Sequence, residues 1–174
     1  FLHTKPFFAR LIRVKNGDKI GIFNSKNELQ NEWKIAASPE QNKQHWSNLI
    51  ISNTDTYFLV NKSCEHLYRR SILCDYFLGD GNGKLTPLSD TKQLYPTFSP
   101  DDKKIAFIKN NNLYYKEITS NSEIQITKDG EWNQIINGKS DWVYEEELNL
   151  TRAYEWNAQS NKIVYLKKSI ELIQ

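Results

Sequence analysis

Short apolar and aromatic runs, each closed by a cluster of Asn, Gly or Asp, recur along this chain, and that rhythm restricts it to an all-β fold. In 104–118, KIAFIKNNNLYYKEI sets two β-rich runs on either side of an asparagine cluster, which is a hairpin pattern. LIRVKNGDKIGIF (11–23) does the same around Asn16-Gly17-Asp18, and CDYFLGDGNGKLTPL (74–88) does it around a glycine-rich turn. That turn resembles the opening of a calcium loop. Lys84, however, stands where an oxygen ligand is needed, and no distal Glu follows at the right place. A glycine turn with positive φ is therefore expected there.

The strands also repeat on a longer scale. FSPDDKKIAF (98–107) aligns with WNAQSNKIVY (156–165), and more loosely with ISNTDTYFLV (51–60). Each copy is an aromatic or apolar residue, a polar turn and a β-rich strand. A repeat of roughly 40 to 50 residues with four strands per unit is the signature of a β-propeller. The expected fold is a partial β-propeller of about three blades of antiparallel strands. The expected organisation is one partial propeller domain over 1–174. Residues 46–95 and 96–155 form blade-like repeats, 156–174 begin a truncated blade, and 1–45 fit a blade only loosely.

Composition narrows the function. The 174 residues carry 23 basic and 21 acidic side chains, a net charge of +2, which gives no electrostatic footprint for nucleic acid. No apolar run approaches the roughly 20 residues that span a bilayer. The start, FLHTKPFFARLIRV, is cut by Lys5 and Arg10 and does not read as a signal peptide. With no Met, the chain is expected to be a mature product or a fragment. Cys64 and Cys74 are too few for a disulfide framework; two buried thiols are expected, with a cross-strand pair as the alternative in an oxidising compartment. Cys64-Glu65-His66 lacks the further ligands of a zinc site, so no metal or other cofactor is expected.

One stretch breaks the strand pattern. DWVYEEELNL (141–150) places Asp141, Glu145, Glu146 and Glu147 within seven residues, and no basic residue follows until Arg152. Ser140 or Asp141 can cap a helix start, and carboxylates in the first turns suit the helix dipole. A short helical insertion near 141–148 is expected, with Glu146 and Glu147 pointing about 100° apart. Trp142 and Tyr144 are expected to pack against the blade, Glu145 to face solvent or cap local backbone, and Arg152 to pair with Glu145 or Glu147.

YPTFSPDDKKIAFIKNNNLYYKEI, followed by ITKDGEWNQIINGKSDWVYEEEL, resembles the N-terminal propeller of the dipeptidyl peptidase IV family, serine exopeptidases of the prolyl oligopeptidase clan. NGKSDWVYEEE (137–147) is the most specific part, and TRAYEW and KIVYLK follow at the expected distance. The resemblance covers roughly 90–168 and extends from about 50. It implies that the propeller caps an α/β-hydrolase domain. It also implies that two consecutive glutamates, Glu146 and Glu147 here, bind the free N-terminal ammonium of the peptide. The family's arginine, in a motif of the type Tyr-Arg-His-Ser, corresponds to Arg69 in YRRS (68–71). Arg70 replaces the motif's histidine, and the following ILCDY departs from the family's aromatic-rich run.

The chemistry suits an exopeptidase. A chain end differs from a chain middle by one positive charge with three donors, and two carboxylates can satisfy it through charge-assisted hydrogen bonds. Pinning the ammonium also fixes which bond reaches the nucleophile, a proximity effect. The nucleophile itself is not in the sequence. No G-x-S-x-G string occurs, and His3, His45 and His66 all precede the acidic motif, whereas the family's histidine lies far after it. The chain is therefore expected to recognise peptides with a free N-terminus and to leave their hydrolysis to a C-terminal α/β-hydrolase domain. Self-association through unpaired strand edges is a further expectation. By resemblance the location is periplasmic or extracellular. Two other readings stand: a stand-alone propeller-type protein-binding module, or the same region of a tripeptidyl peptidase or a non-catalytic sibling. The coding sequence after Gln174 separates the first of these from the peptidase.

Overall fold

A computed structural model describes residues 7–14, 17–35 and 46–169; His3, His45 and Asn16 lie outside them. The chain divides into two compact units, one of residues 1–63 with 76–88 and the other of 64–75 with 89–174.

The first unit begins with a three-stranded antiparallel meander, β1 (Phe7–Val14), β2 (Gly17–Asn24) and β3 (Leu29–Lys34). A four-stranded meander follows, β4 (Leu49–Ile51), β5 (Tyr57–His66), β6 (Ile72–Asp80) and β7 (Leu85–Pro87), of which residues 64–66 and 72–75 are counted with the second unit. Alternation along these strands delivers the core of this unit: Ile20, Trp33, Ile35, Trp46, Phe58 and Val60 are buried together. Gly79 is obligatory at its place, because a Cβ there would come within 2.1 Å of the Phe58 ring. The turn after β6 closes with Gly83 at φ 84°, the left-handed geometry expected of it.

The second unit is built on a second four-stranded antiparallel meander of β8 (Leu94–Phe98), β9 (Lys104–Lys109), β10 (Asn112–Glu117) and β11 (Glu123–Gln125). Asn110 and Asn111 both take positive φ (50° and 58°), as a two-residue turn matching the right-handed strand twist requires. β12 (Ile135–Asn137) leads into the helix α1 (Trp142–Leu148), and β13 (Tyr154–Trp156), β14 (Ile163–Tyr165) and β15 (Lys167–Ser169) follow. β13 pairs with β14, and β15 returns to pair with β12. Leu94, Ala106, Ile108, Leu113 and Tyr154 form the core, with Leu67 and Leu73 packed against it. Each of the two four-stranded meanders is the unit from which propeller blades are made.

The cysteines differ from the expectation of two thiols. Cys64 and Cys74 form a disulfide, and Cys64 is exposed. They sit at the base of a tight hairpin tip, where the N–H groups of Leu67 and Tyr68 donate to the Ser71 carbonyl at 2.9 and 3.2 Å. That pairing brings the two cysteines opposite one another, which no count of cysteines reveals.

Candidate functional site

The helix α1 exists because its ends are capped. The Asp141 carboxylate accepts the Tyr144 N–H at 2.9 Å, and Asn149 closes the helix in the left-handed conformation with φ 55°. Burial raises the Asp141 carboxyl, but hydrogen bonds from Lys168 and the Tyr144 N–H outweigh it and hold the group below the usual carboxylate range.

The inward face of this helix is not the aromatic one. Trp142 is 58% exposed and Tyr144 40%, whereas Glu145 is fully buried, so the expected orientation is reversed. Glu145 Oε1 accepts the Arg70 N–H at 2.5 Å and the Ser71 N–H at 3.3 Å. Glu145 Oε2 accepts the Ser71 hydroxyl, which also contacts the Tyr95 hydroxyl. Glu145 does cap backbone, but that of the hairpin tip and not its own. A buried carboxylate is tolerable only with such a set of donors, and here the tip supplies three. The sequence signal was the tight turn itself, which leaves N–H groups without strand partners, and the serine that follows two arginines.

This contact brings Arg69 to the helix. Arg69 Nη1 lies 3.5 Å from Glu146 Oε2, with the guanidinium largely exposed and the carboxylate mostly covered. Glu147, next along the helix, is exposed. Thus Arg69 and Glu146 meet, and Glu147 follows Glu146 on the helix as an exposed residue. Arg152 does not join them; it pairs with Glu155 at 2.5 Å, only three residues further along the chain, and so close a neighbour in sequence is easier to hold.

Beneath the acidic turn lies a buried ammonium. Lys139 is 4% exposed, its Nζ lies 5.5 Å from the centre of the Tyr68 ring, and it has no hydrogen-bond acceptor among the described residues. Burial drives its pKa down to about 8, against the pull of Asp141 and Glu145. Burial raises the Tyr68 phenol, as do the same two carboxylates. A cavity of about 500 Å³ adjoins the hairpin tip, lined in part by Leu67, Leu73, Leu94, Trp132 and Lys139; neither Arg69 nor Glu146 lines it. No cluster of three or more potential metal ligands occurs among the described residues.

Comparisons with known proteins identify the family. The model of the dipeptidyl peptidase IV (DPP IV) N-terminal region matches residues 52–169. Prolyl endopeptidase FAP of Homo sapiens is 28% identical over 140 residues, covering 79% of this chain and 18% of that protein. A probable dipeptidyl-aminopeptidase B of Neurospora crassa is 25% identical over 163 residues, covering 90% of this chain and 17% of that protein. Among solved structures, Porphyromonas gingivalis dipeptidyl peptidase 4 superposes with a TM-score of 0.80 at 29% identity, covering 89% of this chain and 22% of that one. The fold is accordingly a partial β-propeller. The chain spans about a fifth of the length of these relatives.

Proposed function

Because this chain belongs to the dipeptidyl peptidase IV family, as part of its N-terminal propeller region, we propose that Glu146 and Glu147 bind the free N-terminal ammonium of a peptide substrate, with Arg69 steadying Glu146 and reaching a substrate carbonyl. The observation that carries this reading is the approach of Arg69 to Glu146 across 77 positions of sequence. An arginine beside one carboxylate leaves the other free, so the pair can take up one cation without both charges having to be neutralised first. Charge-assisted hydrogen bonds from the ammonium then distinguish a chain end from a chain middle.

On this reading the whole protein is a serine-type dipeptidyl peptidase. Its serine, aspartate and histidine reside on an α/β-hydrolase domain outside these 174 residues, and Glu146 and Glu147 set which peptide bond reaches them. The location is periplasmic or extracellular, which the Cys64–Cys74 disulfide supports, since such bonds persist in oxidising compartments. Among the described residues no helix is long and apolar enough to cross a membrane. Self-association is a separate expectation. Val164 is 71% exposed on a sheet of two strands, and light scattering over a range of concentrations would detect such association.

The direct test is titration with Gly-Pro amide and with its N-acetyl form, followed by chemical-shift changes in the full chain. The free amine binds and the acetylated form does not; Glu146→Gln and Glu147→Gln each weaken the first. Equal binding of the two ligands removes the amine-recognition role.

A further inference from the structure

The buried glutamate of the acidic run has no part in the ammonium contact, yet it makes the best-defined contacts of the three. We infer that Glu145 is a positioning residue for Arg69, an inference that rests on the amine-binding reading above. Arg69 is exposed, and its side chain meets Glu146 at 3.5 Å, a loose contact that cannot by itself fix the guanidinium. Its backbone neighbours are fixed instead. The next two N–H groups, of Arg70 and Ser71, both donate to Glu145 Oε1, and the Ser71 hydroxyl donates to Glu145 Oε2. One carboxylate thus holds three donors of the segment that begins one residue after Arg69. Because Glu145 and Glu146 are adjacent on the same helical turn, the bond that anchors the hairpin tip also sets the distance from Arg69 to Glu146.

The tip is closed at its base by the Cys64–Cys74 disulfide and across its neck by the Leu67 and Tyr68 N–H bonds to Ser71 O. Those restraints fix the tip's own shape but do not reach the helix. Glu145 does, and its grip is extended by Tyr95, whose hydroxyl contacts the Ser71 hydroxyl and whose carbonyl accepts the Tyr154 hydroxyl at 2.5 Å. The role follows from position: the residue before the ammonium-binding pair turns inward, so one helical turn presents one face to the ligand and another to the loop that carries the arginine.

The test is a double-mutant cycle on Gly-Pro amide binding by the full chain. If Glu145 acts through Arg69, Glu145→Ala weakens binding about tenfold in the wild-type background and by less than about twofold once Arg69→Ala is present, since coupled residues are non-additive. Ser71→Ala, a milder change in the same contact, shows the same dependence on Arg69 and serves if Glu145→Ala does not fold. Glu145→Gln, which keeps an acceptor for the backbone N–H groups, retains most of the affinity. Losses that add independently of Arg69 overturn the positioning role while leaving amine recognition intact. A wild-type chain that does not distinguish the free amine from its acetylated form overturns both, and needs no variant to show it.

Discussion

Arg69 Nη1 stands 3.5 Å from Glu146 Oε2, and the two residues are 77 apart in sequence. A pair at that distance with the guanidinium largely in solvent contributes between zero and about 1 kcal/mol to stability. On the proposed reading, little would therefore be lost when Glu146 turns from the guanidinium to an incoming ammonium. A tight buried pair would resist that exchange.

The first prediction concerns rate. In the complete protein, Glu146→Ala or Glu147→Ala removes a charge-assisted contact of about 1.5–3 kcal/mol, so kcat/KM for free-amine substrates should fall roughly ten- to hundredfold. The thermal midpoint should barely change, since both carboxylates lie outside the core. Steady-state kinetics on a Gly-Pro reporter measures the first quantity and calorimetry the second. Unchanged kinetics in both variants would remove the ammonium contact.

A second prediction concerns the disulfide. Cys64 and Cys74 are separated by 10 positions, so the bridge closes a short loop, and its loss should cost about 2–3 kcal/mol on a loop-entropy account. The Cys64→Ser/Cys74→Ser double variant should melt lower by that margin, and a reductant should do the same to the wild type. A midpoint indifferent to reductant would mean that the thiols are not bridged.

What the sequence made legible follows from periodicity, and what it hid follows from tertiary partners. The hairpin at Asn110-Asn111 was readable because left-handed turn geometry selects Asn. The helix cap at Asp141 was readable because capping is local. Glu145 was misplaced because a seven-residue helix with Trp142, Val143, Tyr144 and Leu148 has no single apolar stripe, so hydrophobicity cannot choose its inner face. The choice is made by unpaired N–H groups of a hairpin tip 74 residues earlier, which require an acceptor. Arg152 departs from the expectation for a local reason: Glu155, three residues away, competes with the carboxylates of the acidic run and takes the guanidinium.

The third prediction concerns the cap. Asp141→Ala removes both the acceptor of the Tyr144 N–H and the partner of Lys168, and should cost about 1 kcal/mol or somewhat more. Asp141 is held below the usual carboxylate range, so its contribution is present above the unfolded value near 4 and is lost as pH falls through the lower folded value. Denaturant midpoints from pH 6 down to acid should therefore converge for wild type and variant. A gap that persists at the lowest pH would mean that the side chain acts through packing and not through charge.

Lys139 supplies the opposite pH signature. Its folded pKa is about 8, below the usual lysine value of 10.5, because burial disfavours the ammonium more than Asp141 and Glu145 favour it. Below pH 8 both folded and unfolded chains carry the proton, and the folded state bears the whole cost of burying it. Between pH 8 and 10.5 the unfolded chain binds more protons than the folded one, so stability rises with pH, in total by about 3 kcal/mol for this group. The half-buried Tyr68 phenol resists ionisation and works the other way once the unfolded tyrosine ionises near pH 10, so the clean window is about pH 7.5 to 9.5. In that window the wild type should gain stability toward alkaline pH, whereas Lys139→Met should be nearly flat and more stable than the wild type at neutral pH. Urea midpoints at four pH values decide it: a wild-type curve parallel to that of the variant would show that the Lys139 ammonium stays solvated.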